Sequence, residues 1–180
     1  FFSVRNDAEL IKKYITSLRS EIKLYQDLYQ LKPETIYFGG GTPSLLDPAQ
    51  LTSILSLFDL NRVREITLEM NPVSFSEDFK SFLTASHFNR ISIGIQSFLN
   101  KELKLLGRIH TNSDISRISR GLKSSVDSIS LDLIYGLPEQ TLQDLKISLK
   151  KMIELDPDHL SIYCLSLEED VPLYRKRDLI

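Results

Sequence analysis

Ile36-Tyr37-Phe38-Gly39-Gly40-Gly41-Thr42-Pro43 joins the end of a short β-branched and aromatic run to three consecutive glycines, out of only 7 in the chain. Such a run, bounded by turn residues, reads as a buried strand, here Thr35 to Phe38. Four further runs of the same kind lie downstream: Glu65 to Met70, Arg90 to Ile95, Ser128 to Leu133 and Leu160 to Leu165. Their near-continuous apolarity suits parallel strands covered on the outside by helices. Plain turns precede them, as in Leu31-Lys32-Pro33-Glu34 and Leu155-Asp156-Pro157-Asp158. The segments after the strands are of another kind: the glycine triplet, Glu69-Met70-Asn71-Pro72, Gln96-Ser97-Phe98 and Tyr135-Gly136-Leu137-Pro138. In a parallel α/β barrel the loops after the strands gather on one face and build the active site, so these segments are expected to converge.

The segments between the strands carry helix signals. Asn6 with Glu9 opens a long helix to about Gln30, with Leu10, Tyr14, Leu18, Ile22 and Tyr25 recurring at helical spacing as a core-facing stripe. Asp47, with Pro48 just inside and Gln50 three residues on, opens a second. Ser74 with Glu77, Thr111 with Asp114 and Thr141 with Asp144 open helices that end near Ala85, Lys123 and Glu154. No linker or short repeat interrupts the alternation, so residues 1–180 are read as one α/β domain.

Composition narrows the function. The 180 residues are 42% hydrophobic and 26% charged with a net charge of -2, a globular balance without a global pull toward nucleic acid or anionic lipid. No apolar run approaches the roughly 18 to 20 residues of a bilayer span. The single cysteine, Cys164, forms neither an internal disulfide nor a thiolate cage, which points to a reducing, cytoplasmic setting. Cys164 itself is expected as a small buried apolar side chain.

Several residues carry chemical potential. A glycine triplet permits positive φ and lets a ligand approach main-chain groups with no Cβ in the way; the alternative is a tight turn. It is neither a Walker loop nor a dinucleotide fingerprint. Glu69 between Leu68 and Met70, and Asp132 between Leu131 and Leu133, place carboxylates at the ends of apolar strands. Each either binds hydroxyl or ammonium donors or forms an internal ion pair. Gln96 donates and accepts, and Arg108 offers a planar fork matched to a carboxylate; either also serves as a structural hydrogen-bonding group. His87, His110 and His159 lack metal-ligand spacing. His87 and His159 read as surface or turn residues, His110 as a cap or site-edge group.

Taken together, Ile36 to Leu46, Leu68-Glu69-Met70-Asn71-Pro72, Arg90 to Phe98, Leu131 to Thr141 and Asp158 to Tyr163 resemble, in order and spacing, the radical S-adenosylmethionine family of oxygen-independent coproporphyrinogen III oxidases and their heme-chaperone relatives. Leu105-Leu106-Gly107-Arg108-Ile109-His110-Thr111 and Gly94 to Phe98 resemble the heme-chaperone branch more. The resemblance implies a partial (β/α)6, TIM-like barrel holding a 4Fe-4S cluster and S-adenosylmethionine, with heme added in the chaperone branch. It implies that Gly40, Gly41 and Thr42 hold the methionine part of that cofactor. Glu69 would meet its ribose or amino group, Arg108 its carboxylate, and Gln96 and Asp132 would complete the pocket. In the oxidase branch these last positions serve a second S-adenosylmethionine.

The implied partner is heme or a porphyrinogen. The chaperone delivers heme to respiratory proteins, a membrane-associated recipient included, whereas the oxidase decarboxylates porphyrinogen propionates by radical chemistry. The family's CxxxCxxC cluster motif does not occur, and Phe1-Phe2 resembles the stretch just after its third cysteine. The first strand, the cluster loop and the region after the barrel are therefore expected outside these residues. An aldolase-like barrel with a phosphate on the glycine triplet is the reading that needs no iron.

Overall fold

The computed structural model describes residues 7–166 and 174. Five strands form one sheet: β1 (Thr35–Phe38), β2 (Glu65–Met70), β3 (Arg90–Gln96), β4 (Ser128–Tyr135) and β5 (His159–Cys164). They pair in sequence order, every neighbour parallel. Parallel crossovers are almost always right-handed, so an order that never reverses puts every crossover helix on one face and curls the sheet toward a barrel. A doubly wound sheet would instead show a reversal.

The helices are α1 (Ala8–Tyr29), α2 (Pro48–Leu55), α3 (Glu77–Ala85), α4 (Asn100–Leu105), α5 (Asn112–Leu122) and α6 (Leu142–Glu154). Capping boxes at Asp47/Gln50, Thr111/Asp114 and Thr141/Asp144 start α2, α5 and α6 as expected. Two starts differ. Asp7 caps α1 by accepting from the Leu10 N–H, while Asn6 lies outside the described residues. Ser74 closes a 3-10 turn begun by Pro72, and Ser76 caps α3. The short α4 has no counterpart among the helices expected from sequence: its N-cap position is Leu99, which supplies no side-chain acceptor.

Strand alternation divides the sheet into two unlike faces. Ile66, Leu68 and Met70 of β2, Ile91, Ile93 and Ile95 of β3, and Ile129, Leu131 and Leu133 of β4 join one buried cluster. Leu51, Ile54 and Leu55 of α2, Phe79 and Leu83 of α3, Ile115, Ile118 and Leu122 of α5, and Met152 of α6 belong to the same cluster. The intervening positions facing the concave side are mostly polar: Thr67 and Glu69, Ser92, Ser130 and Asp132, and Ser161, with Gln96 joining them beyond a register shift. The strands are thus continuously apolar toward the helices and largely polar toward the inside, where Ile134 is an apolar exception, so the inside of the barrel suits a polar occupant.

Both edges are open among the described residues. β1 pairs only with β2, and α1 beside it buries Ile15 alone, with Ile11, Leu18 and Ile22 partly covered. The expected core stripe is therefore half wrong: Leu10, Tyr14 and Tyr25 are exposed, at 47%, 59% and 46%. A groove of about 440 Å³ separates α1 from β1, lined by Tyr14, Leu18, Ile22, Tyr37 and Phe38 among others, so this stretch of the helix is only partly packed by the described residues. Cys164 is likewise exposed rather than buried: β5 is the other edge strand, and Cys164 lies at its last position. Among the described residues no helix is long and apolar enough to cross a membrane.

Candidate functional site

The carboxyl ends of β1 to β5 surround a cavity of about 330 Å³. All seven residues singled out from sequence line it: Gly40, Gly41, Thr42, Glu69, Gln96, Arg108 and Asp132. Ser92, Gly94, Asn71, Ile134 and Tyr163 also line it, and sequence reasoning misses them. Ser92 and Tyr163 are legible in principle, because each shares the concave parity of an assigned neighbour, Gln96 or Asp132.

The loop after β1 is shaped by its glycines for three separate reasons. A Cβ on Gly39 would meet the Tyr37 ring at 2.7 Å and Glu69 Oε1 at 3.2 Å, so that glycine serves packing. Gly40 has φ +118°, a conformation side chains rarely adopt. Gly41 has open space where its Cβ would stand, which leaves its main chain accessible from the cavity. Ser44 braces this loop to the next: its hydroxyl donates to Ser74 Oγ at 3.0 Å and accepts from the Asn71 N–H at 3.2 Å.

Glu69 is held by two donors. The Tyr37 hydroxyl reaches Oε1 at 2.9 Å and the Gly40 N–H reaches Oε2 at 3.1 Å. Partial burial, together with Glu69 as acceptor and neighbouring negative charge, pushes the Tyr37 phenol up to about 12, so it stays a donor. Gly40 has spent its amide on Glu69, which leaves main-chain donation to a ligand to Gly41 and Thr42. Asp132 accepts from the Ser92 hydroxyl at 3.1 Å. Burial raises its carboxyl pKa, as does the charge on Glu69, while hydrogen bonds from Ser161 and Ser92 and the charge of Arg90 oppose the shift.

Gln96 sits on an irregularity. The β3–β4 register shifts between Gly94 and Gln96, and Gln96 takes φ +67°. The Ser97 N–H closes a three-residue turn onto the Ile95 carbonyl at 2.9 Å. His110 Nε2 donates to the same oxygen at 3.1 Å. A Cβ on Gly94 would meet Gln96 Nε2 at 2.8 Å, so the glycine makes room for the amide. Gln96 Oε1 is buried without a partner among the described residues. Arg108 follows Gly107, which has φ +66°, and no described carboxylate forms an ion pair with it. Burial pulls its pKa below the ordinary value.

His110, expected as a cap or site-edge group, stands at the edge of the site and clamps this turn. It is 5% exposed, and burial lowers its pKa, with the Ile95 hydrogen bond and Asp114 opposing and Arg108 assisting. The unfolded chain therefore binds a proton that the native state refuses. Stability should be full above about pH 6.5 and fall as pH drops from there toward the lowered native value. Thermal unfolding followed from pH 7 to 5 should show this slope, and His110→Asn should flatten it; an unchanged slope would contradict the assignment.

The arrangement fits an amino-acid-bearing, hydroxylated ligand. An unpaired guanidinium awaits a carboxylate, two carboxylates await hydroxyl or ammonium donors, the orphaned Gln96 oxygen awaits a donor, and Gly41 admits close approach. An iron–sulfur cluster does not fit these residues. Thiolates hold such clusters, the chain has one cysteine on an exposed edge, and no metal-binding group of His, Cys, Asp or Glu occurs among the described residues.

A parallel, partially closed barrel with a polar cleft at its carboxyl end defines a class of proteins. Residues 6–152 match the radical SAM superfamily, and the chain belongs to it. It is 39% identical over 174 residues to the heme chaperone HemW of Lactococcus lactis subsp. lactis, covering 94% of this chain and 45% of that protein. It is 35% identical over 160 residues to the oxygen-independent coproporphyrinogen III oxidase of Salmonella typhimurium, covering 84% of this chain and 34% of that one. The solved structure of coproporphyrinogen III oxidase (HemN) from Escherichia coli, a radical SAM enzyme, superposes with a TM-score of 0.83 at 28% identity over 99% of this chain and 42% of that chain. The chain spans less than half the length of these relatives. The partial TIM-like barrel expected from sequence is the fold observed.

Proposed function

We propose that this barrel binds S-adenosylmethionine within a heme chaperone that receives heme and delivers it to respiratory proteins in the cytoplasm or at the membrane. The observation that carries the cofactor assignment is the convergence of Gly41, Thr42, Glu69, Gln96, Arg108 and Asp132 on one cavity. Arg108 pairs with the cofactor's carboxylate, and Gly41 and Thr42 hold the methionine backbone. Glu69, pinned by Tyr37 and Gly40, accepts from the amino group or ribose. Asp132 and Gln96 close the opposite wall. When bound, the cofactor supplies the sulfonium on which the superfamily's radical chemistry rests; the chain's own residues orient it and exclude water. The cluster is held by residues outside these 180.

The chaperone reading is supported by the identity to HemW over nearly the whole chain and by the Leu105 to Thr111 signature. The oxidase reading is kept because a coproporphyrinogen III oxidase superposes so closely. Heme titration of the intact protein beside an anaerobic assay for coproporphyrinogen decarboxylation separates them. Stoichiometric heme binding without decarboxylation is expected, and robust turnover would replace the chaperone with the oxidase.

A further inference from the structure

Glu102 is a carboxylate at 3% exposure with no described cation paired to it. Neighbouring Lys101 points elsewhere, pairing with Asp144 at 2.8 Å. A desolvated carboxylate is costly unless its oxygens are hydrogen-bonded, so its partners identify what it holds together. Oε2 accepts from the Ser97 hydroxyl, and Oε1 accepts from Gln140 Nε2 at 3.2 Å. Gln140 Oε1 in turn accepts from the N–H of Gly136, which has φ +76°. Ser97 Oγ also takes the Leu99 N–H at 2.9 Å.

We propose that Glu102 is a positioning residue for the cofactor cavity, tying the turn after β3 to the loop after β4. It lines no part of the cavity itself, so it acts through its neighbours. Ser97 directly follows Gln96, and Gly136 lies two residues beyond Ile134; both Gln96 and Ile134 line the cavity. Glu102 also sits on α4, which delivers Arg108: the Arg108 N–H donates to the Leu103 carbonyl at 2.8 Å. One buried carboxylate thereby fixes the left-handed turn that aims Gln96, the approach of Arg108 and the end of β4. Ser97 and Gln140 act as its arms.

The inference rests on the cavity binding S-adenosylmethionine, so its test carries Arg108→Ala as a separate arm. In the intact, cluster-loaded protein, the Kd for S-adenosylmethionine is measured beside Tm for Glu102→Ala, Glu102→Gln, Gln140→Ala and Leu83→Ala. Glu102→Ala should weaken binding by about tenfold, and Gln140→Ala, which cuts one arm and leaves the carboxylate in place, by about threefold. Glu102→Gln keeps the volume and one acceptor, and should recover binding to within about threefold of the parent. Leu83→Ala empties the core under α3 and should lower Tm while leaving Kd within about twofold. Should Glu102→Ala not fold, Gln140→Ala and Glu102→Gln decide. Binding unchanged in both Glu102→Ala and Gln140→Ala, or weakened as much by Leu83→Ala, overturns the positioning role. If Arg108→Ala also leaves Kd unchanged, the cofactor site itself is wrong; if only Arg108→Ala weakens it, the site stands and the role of Glu102 falls.

Discussion

Arg108→Ala in the intact protein should weaken S-adenosylmethionine binding by roughly 10- to 100-fold, the equivalent of about 1.5–3 kcal/mol for a lost hydrogen-bonded charge pair. The magnitude comes from the site. Arg108 is half-buried, its pKa is lowered by desolvation, and no described carboxylate neutralises it. A ligand carboxylate would supply that missing partner, and the pair would form in a partly water-excluded cleft where charge interactions are stronger than on a surface. Arg108→Lys keeps the charge and loses the fork, so it should recover only part of the affinity. Equilibrium dialysis reads the effect; affinity within about twofold of the parent in Arg108→Ala would remove Arg108 from the site.

Leu131→Ala should cost about 2–5 kcal/mol of folding stability, a large share of the roughly 5–15 kcal/mol that a typical protein possesses. Leu131 lies in β4 opposite Ile93 of β3 and Leu160 of β5, is 0% exposed, and belongs to the cluster shared with α2, α3, α5 and α6. Removing its branched end leaves a cavity between sheet and helices that rigid strands cannot collapse to fill. The same substitution at Leu142, 68% exposed at the start of α6, should change stability by no more than about 0.5 kcal/mol. Urea midpoints of the two variants test whether burial sets the cost; equal midpoints would contradict the two-faced sheet.

The sequence announces its elements where local chemistry is loud. β1 and β2 coincide with their apolar runs, and the capping boxes at Asp47, Thr111 and Thr141 mark helix starts because side-chain acceptors there satisfy N–H groups that the helix cannot. It is quieter where tertiary contacts decide. Ser74 matches a capping pattern as well as Ser76 does, and only the turn from Pro72 selects between them. α4 has Leu99 at its N-cap and no signal to find. The exposure of Leu10, Tyr14 and Cys164 depends on what flanks the two edge strands, which a periodicity argument does not see.

For the candidate site, residue types are enough to pick out Glu69, Gln96 and Asp132, because a polar residue near the end of an apolar strand, or a carboxylate between Leu131 and Leu133, stands out. Tyr37 is hidden by being an ordinary strand residue, and Ser92 is marked only by the strand parity it shares with its neighbours. Their importance lies in register, which sets Tyr37 beside Thr67 and Ser92 beside Glu69 on the concave face. The Glu102 bridge is less legible still, since Ser97, Glu102 and Gln140 are brought together only when α4 folds back between two loops.

The most direct test of the central claim is a structure of the intact, cluster-loaded protein with S-adenosylmethionine bound under anaerobic conditions. The account predicts the cofactor in the cavity at the carboxyl ends of β1 to β5, its carboxylate on Arg108 and its polar groups on Glu69, Gln96 and Asp132. Cofactor bound elsewhere, or in this cavity with Arg108 and Glu69 both turned away, would contradict it.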